Sequence, residues 1–325
     1  MSLKSSNKQE LSEIIKAEAK NLGFFACGIA QADRVDEATA CHVRRWLDAE
    51  YYAGMAYMNN YTDRRLDPRL LMDGLKSIVC VALNYAPAHD FEDGELRFAA
   101  YALGQDYHDI VKNKLRELAD KIGVENYRVF CDSAPVLERY WAAQAGLGWI
   151  GKNHQLIIPH AGSMFFLGEL FLDIELEYDE PAKNRCGNCH RCIDNCPTGA
   201  LQEGKELNAL ACLSYQTIEN RNDIPQKYAC KMGETIYGCD RCQQVCPWNR
   251  FAHPNDTPEL QPKEELLRMK RGDWINLSEE DYRKLFKGSA VKRAKYAGLM
   301  RNIKAATCDY EGNELTLDTK QQDDE

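Results

Sequence analysis

The sequence predicts a mixed α/β and α+β chain: an α/β domain over residues 1–178, a cysteine-rich domain over 179–250 and a helical basic tail over 251–325. Three observations carry that reading. Helical and strand-like segments alternate as far as Tyr178, the pattern of a sheet covered by helices. Nine of the fourteen cysteines then fall between Cys186 and Cys246. Beyond them the spacing of apolar residues turns helical again.

Each element has its own signal. Leu11, Ile14, Ile15, Ala19 and Leu22 share one helical face, and Gly23 follows as a left-handed stop. Phe24–Ala30 reads as a strand. A second helix carries Val43, Trp46 and Leu47, ahead of an aromatic- and methionine-rich stretch, Ala53–Tyr61. The charged run Asp63–Arg69 reads as a loop turning at Pro68. Ser77–Tyr85 is apolar enough for a buried strand. Ile110, Val111, Leu115, Leu118 and Ile122 mark a helix over Asp106–Ile122, and Tyr127–Cys131 another strand. Ser133 is placed to cap, and Pro135 to open, a helix running to Ala145. Gln155–Pro159 and Met164–Leu176 complete the strands. Asp179–Asn184, with Pro181, is the boundary, and the last dozen residues read as disordered from their polarity and acidity.

Composition narrows the function classes. Hydrophobic content of 44% and charged content of 28% are those of an ordinary globular chain. Lys+Arg 41 against Asp+Glu 50 leaves a net charge of −9, so no global basic field points to nucleic acid. No apolar run reaches the roughly 18 residues of a membrane helix, and the first residues, MSLKSSNKQELSE, lack a signal-peptide core. The cytoplasm is the expected compartment, with no membrane partner, and there clustered cysteines are metal ligands before they are disulfides.

The cysteine spacing is the most specific signal. Cys186-x2-Cys189-x2-Cys192-x3-Cys196-Pro197 has the spacing of bacterial two-cluster ferredoxins, in which the fourth thiolate serves the other [4Fe–4S] cluster. A second run, Cys239-x2-Cys242-x3-Cys246-Pro247, lacks its first member because Ile236 stands there. Crossed ligation gives Cys186, Cys189, Cys192 and Cys246 to one cluster; Cys196, Cys239 and Cys242 go to the other with one more thiolate. Cys212, with 26 residues between it and Cys239, and Cys230 compete for that place, and spacing alone does not choose. A ferredoxin-like unit holding two [4Fe–4S] clusters follows. Cys27, Cys41, Cys80, Cys131 and Cys308 stand singly and read mostly as small buried hydrophobes.

Gly146-Leu147-Gly148-Trp149-Ile150-Gly151 matches a dinucleotide fingerprint in letters only. The fingerprint needs a strand before it and a helix after it, and here the order is reversed. The glycines instead suit a tight helix-to-strand turn.

Two clusters form an electron wire, and a wire needs a redox centre at its end. With Tyr101–His108, Asp132–Arg139, Ala145–Asn153, Gly162–Glu169, Tyr237–Asp240, Gly288–Ala294 and Arg301-Asn302, the chain resembles the epoxyqueuosine reductases in order and over nearly its whole length. The resemblance implies a cobalamin held between the α/β domain and the cluster unit. It also implies a net two-electron deoxygenation of epoxyqueuosine to queuosine at the wobble position of tRNA. It assigns Cys212 as the missing thiolate. It makes Asp132 the proton donor, against the plainer reading of a turn residue before Pro135. It also places Arg65, Asp132, Leu156, Leu167, Ser214, Asp240 and Arg241 against the cobalamin, with Asp240-Arg241 between cofactor and iron. A donor carboxyl needs a raised pKa, because an ordinary aspartic acid titrates near ~3.9. His108 belongs to no D-x-H-x-x-G motif and reads as an ordinary helix or loop residue.

Lys287, Lys292, Arg293, Lys295, Arg301 and Lys304 form a basic window near the end of the chain. Of these, Lys292, Arg293, Lys295 and Arg301 are the expected tRNA contacts, set against a merely solvated helix face. The expected partners are thus a tRNA and a reductant such as a flavodoxin or ferredoxin, acting on a monomer. Two other functions fit the same cysteines: a cobalamin-dependent reductive dehalogenase, and a ferredoxin-like electron carrier with an accessory domain.

Overall fold

The computed structural model describes residues 7–308, so the acidic end expected to be disordered lies outside the described residues. Helix α1 (Lys8–Asn21) starts where the Asn7 side chain accepts the Gln9 N–H, and β1 (Ala26–Gln31) follows it. Helix α2 (Glu37–Asp48) is capped in the same way by Asp36. The run expected as a loop instead forms a short helix, α3 (Thr62–Leu66), and a 3-10 turn over Pro68–Leu70. Leu66 explains the difference, because it is only 2% exposed and pulls the segment onto the core.

Strand β2 (Ser77–Asn84) and the two-residue β3 (Arg97–Phe98) precede α4 (Tyr107–Ile122), which is capped by Asp106 and stopped by Gly123. Next come β4 (Tyr127–Phe130), α5 (Glu138–Gln144), the β5 (Trp149–Ile150) and β6 (Leu156–Ile157) hairpin, and β7 (Phe165–Leu172). Helix α5 starts later than the sequence suggests. Ser133 is not its cap, and the N-cap position, Leu137, has no side-chain bond. The Gly146 turn lies between α5 and β5, with φ of 77°.

The main sheet has the order β1-β2-β7-β4, and every neighbouring pair is antiparallel. Helices cover both faces, as the alternation requires, but the strand directions make this an α+β sheet. On β2, Val79, Val81 and Leu83 face α1 and α4, while Ile78, Cys80 and Ala82 face α3 and α5. Burial on both faces is why this strand reads as an unbroken apolar run. A Cβ on Gly168 would come within 2.5 Å of Val111, so α4 lies directly on β7.

The cysteine-rich segment holds only short elements: α6 (Arg191–Asp194), α7 (Leu213–Ile218), α8 (Gln226–Ala229), β8 (Thr235–Tyr237) and α9 (Arg241–Gln244). Helices α10 (Glu264–Arg268), α11 (Arg271–Ile275), α12 (Glu279–Leu285) and α13 (Lys295–Thr307) follow. These are not an appendage. Phe98 on β3, Tyr237 on β8, and Trp274, Phe286 and Leu299 beyond them share one core, and β3 pairs with β8. No described helix is long and apolar enough to cross a membrane.

Candidate active site

The first turn of α4 builds one wall of a large cleft. Asp106 caps the helix by accepting the His108 N–H at 3.1 Å, and the same oxygen lies 2.6 Å from His108 Nδ1. Turned this way, His108 presents Nε2 to Asp132 Oδ2 at 3.2 Å, and Tyr107 donates its hydroxyl to that oxygen at 2.5 Å. Asp132 itself sits in a left-handed backbone conformation, φ 58°, uncommon for a non-glycine residue. Its N–H donates to the Glu138 carboxylate, which holds the loop in that shape. Lys112 donates to Ser133 Oγ at 2.8 Å, so Ser133 is tied to α4.

The charges in this group are ordered by distance. Two carboxylates hold the His108 imidazolium, with Asp106 the larger influence and Asp132 next, and raise its pKa to about 9. Asp132 lies deep among protein groups, yet 59% of its side chain is open to the cleft. Burial pushes its carboxyl up, but the bonds from His108 and Tyr107 outweigh that and leave it below the ordinary value. This corrects the expected raised pKa. The proton resides on His108, and Asp132 is its carboxylate partner.

Behind the loop, Glu169 on β7 is 0% exposed and lies against Glu138. Burial raises both carboxyls, Glu138 to about 8. The pair therefore keeps a proton at neutral pH.

The cleft, about 1660 Å³, is lined by Tyr57, Arg65, Tyr107, His108, Asp132, Ser214, Lys292 and Arg293 among others. Arg65 is 8% exposed, and its buried Nε has no hydrogen-bond partner among the described residues. Such a group calls for an acceptor from a bound molecule. The other expected cobalamin contacts lie elsewhere. Leu156 and Leu167 belong to the core between sheet and α5. Asp240 and Arg241 line a second cleft of about 610 Å³, where Asp240 accepts the Ala100 N–H at 2.6 Å and Arg241 donates to the Met232 carbonyl. Both side chains bond to protein backbone there.

The cysteines fall into two groups. Cys246 is opposed by the like charges of Cys186 and Cys189, and Cys192 by those of Cys246 and Cys186. Cys212 is opposed by Cys196, Cys239 by Cys212, and Cys242 by Cys239 and Cys212 first and, more weakly, by Cys192 of the neighbouring group. Burial first, then such crowding, pushes Cys239 to about 12. Burial raises Cys192, Cys212, Cys242 and Cys246 as well, whereas at Cys196 burial is outweighed by bonds from backbone N–H groups and Thr198, which lower it. Cys230 is exposed and belongs to neither group. Helices α6 and α9, each containing the last cysteine of a C-x2-C, pack together and set the groups side by side. No three described His, Cys, Asp or Glu side chains close on a single metal ion, as expected where the ligands surround a larger body.

Comparison with known proteins decides the family. Residues 185–249 match a 4Fe-4S double cluster binding domain, and residues 65–133 match the family model "Epoxyqueuosine reductase QueG, DUF1730". An epoxyqueuosine reductase of Cellulophaga algicola is 45% identical over 300 residues, covering 91% of this chain and 98% of that protein. The chain belongs to the epoxyqueuosine reductase family. The Escherichia coli K12 relative is 38% identical, over 91% of this chain and 80% of its own. Among solved structures, an epoxyqueuosine reductase with an epoxyqueuosine-modified tRNA stem loop superposes with a TM-score of 0.84 at 29% identity, covering 92% of this chain and 81% of that one. The Bacillus subtilis enzyme, with its catalytic aspartate loop swung out of the active site, gives 0.83 at 30% identity, covering 92% and 82%.

The basic window divides. Lys292 and Arg293 line the large cleft, and Lys295 is exposed near it. Arg293 is held by two bonds to Glu219, at 2.7 and 2.8 Å. Arg301 is turned inward, donating to the carbonyls of Gln216, Asn220 and Asn222. Arg301 is therefore a structural clamp on α7 and the turn after it, a correction to its reading as a phosphate contact. Sequence reasoning missed His108, Tyr107, Glu138 and Glu169 as site residues. The one available signal was a capping aspartate followed at once by an aromatic residue and a histidine.

Proposed function

We propose that this chain reduces epoxyqueuosine to queuosine at the wobble position of tRNA, with a cobalamin in the large cleft and two [4Fe–4S] clusters on the cysteine groups. The observation that carries the proposal is the cleft, which joins the His108–Asp132 pair to Cys212 and Ser214 in one space. Its volume exceeds the range of about 300–1,000 Å³ usual for small ligands, which suits a macrocycle together with a nucleoside. Arg65 would meet an acceptor on the cobalamin, whose periphery carries amides and a phosphate. When bound and reduced, the cobalamin would supply the strongly reducing centre that the deoxygenation needs.

The chain's own residues then manage protons. Removing the epoxide oxygen as water takes two electrons and two protons and leaves an alkene. As the C–O bond breaks, the negative charge grows on oxygen, and a proton must arrive there. His108 holds that proton at neutral pH and hands it on through Asp132, whose carboxylate is open to the cleft. Tyr107, with a pKa raised far above the ordinary value by burial and by Asp132, stays protonated and fixes the carboxylate in place. Glu138 holds the loop from behind.

Lys292 and Arg293 at the cleft and the exposed Lys295 support contacts to the phosphates of an anticodon loop, whose unstacked bases can be splayed into a pocket. The reaction is assigned to the cytoplasm, where its tRNA is. The test is mass spectrometry of tRNA nucleosides from cells lacking this chain. Epoxyqueuosine should accumulate in place of queuosine, and unchanged queuosine would end the proposal.

A further inference from the structure

The two cysteine groups differ in what surrounds them. Cys212 lines the large cleft, so the group of Cys196, Cys212, Cys239 and Cys242 is the one beside the reaction. Electrons must therefore come in at the other group, Cys186, Cys189, Cys192 and Cys246. That group lies under a rim of cations. Arg185 and Arg191 adjoin Cys186 and Cys192 in sequence, Lys183 precedes them, and all three are exposed.

Arg250 reaches the same group through aromatic contacts. Trp149 donates its indole N–H to Cys186 Sγ at 3.4 Å and packs edge-on against Trp248, centroids 4.9 Å apart. Trp248 lies against Phe251 at 6.1 Å, and the Arg250 guanidinium sits 4.5 Å over the Phe251 ring. None of Lys183, Arg185, Arg191 and Arg250 is in an ion pair among the described residues. Lys152 and His190 nearby both lie on Glu203, which takes up that acid. Glu180 and Asp194 are the other exposed acids between positions 180 and 203. On a chain of net charge −9, unpaired cations gathered over one cluster are a local reversal of sign. Complementary charge of this kind mainly sets the rate and orientation of encounter.

We propose that the surface over Cys186, Cys189 and Cys192, rimmed by Lys183, Arg185, Arg191 and Arg250, is the docking site of an acidic one-electron carrier protein. The assignment rests on the proposed reductase function for its direction of flow. Each docking event oxidises the carrier by one electron and reduces the near cluster by one. Two events supply one epoxide, and the two protons come at the cleft.

The test uses the holoenzyme and a flavodoxin, without tRNA, so its outcome is independent of whether epoxyqueuosine is the substrate. In the variant Arg185→Glu/Arg191→Glu/Arg250→Glu, flavodoxin affinity and the second-order rate of cluster reduction by photoreduced flavodoxin should both fall about 10-fold or more at low ionic strength. Their salt dependence should flatten, while iron content and reduction by dithionite stay unchanged. A control of equal charge, Arg268→Glu/Arg283→Glu/Lys284→Glu, should leave the flavodoxin rate near that of the parent. Unchanged affinity and rate in the first variant would overturn the proposal, as would an equal fall in the control or an equal fall with dithionite. Loss of affinity for a tRNA stem loop with the flavodoxin rate intact would assign the rim to RNA and overturn it as well.

Discussion

His108 Nε2 lies 3.2 Å from Asp132 Oδ2, while its other ring nitrogen lies 2.6 Å from Asp106 Oδ1. One imidazole is thus held between two carboxylates, and only one of those carboxylates opens onto the cleft. Tyr107 stacks on the ring, Lys112 and Arg139 act on the two carboxylates, and the carboxylates outweigh burial in favouring the protonated form. The rate of single-turnover reduction by pre-reduced enzyme should therefore be flat through neutral pH and fall as pH rises through about 9, where His108 loses its proton. The same sign applies to stability. A raised pKa gives stabilisation that is complete below the ordinary value near ~6.5 and is lost as pH rises through about 9. His108→Gln should slow the single turnover by roughly 10²–10⁴ and remove the alkaline limb. A variant that keeps that limb would place the proton elsewhere.

Asp132→Asn separates the two halves of the pair. An amide keeps the shape but neither carries charge nor accepts the histidine proton. Turnover should collapse while cobalamin remains bound, as followed by its visible absorption. One of the two carboxylates on His108 is then gone, so its pKa should move down from about 9. An NMR titration of the ring reports this without any substrate. Near-normal turnover with cobalamin retained would remove Asp132 from the chemistry.

These two residues also mark where the sequence stops being readable. The helix that carries His108 is legible because Val111, Leu115 and Leu118 repeat at helical spacing against a buried sheet. The strands β2 and β7 are legible because both their faces are buried. What a local pattern cannot contain is pairing at a distance. The antiparallel order joins β2 to β7 across more than eighty residues, and no run of letters encodes that direction. His108 and Asp132 meet for the same reason, 24 residues apart, through the packing of α4 against β4. Glu169 shows the limit most sharply. Within an apolar strand, its charge reads as an outward residue, yet the period of the strand turns it inward onto Glu138. Arg301 errs in the opposite direction: it stands in a basic window of the sequence, but its partners are carbonyls 79 to 85 positions away.

The grouping of the cysteines gives a prediction that spacing alone could not. Cys212 sits with Cys196, Cys239 and Cys242, while Cys230 is exposed at the end of α8. Anaerobic reconstitution should return about eight irons per chain for two cubane clusters. Cys212→Ala should lower that toward about four and remove one of the two cluster signals in electron paramagnetic resonance. Cys230→Ala should change neither. Equal iron in both variants would show that the fourth ligand of this cluster is some other group.

Arg301 and Lys292 belong to one basic window but should fail differently. Arg301 donates to three carbonyls at 2.5 to 2.9 Å and to the Asn302 side chain, and Asn302 in turn donates to the carbonyls of Thr217 and Ile236. Removing its guanidinium leaves partly buried carbonyls unpaired, at a cost of about 2–3 kcal/mol for charged hydrogen bonds of this kind. Arg301→Ala should therefore lower the denaturant midpoint, and its affinity for a tRNA stem loop should keep the parent's salt dependence. Lys292 is exposed at the cleft and carries no part of the fold. Lys292→Ala should leave the midpoint unchanged, weaken stem-loop binding, and reduce the slope of log affinity against log salt by roughly one. If the two variants exchanged these signatures, the inward clamp would be the RNA contact and the cleft lysine only a solvated charge.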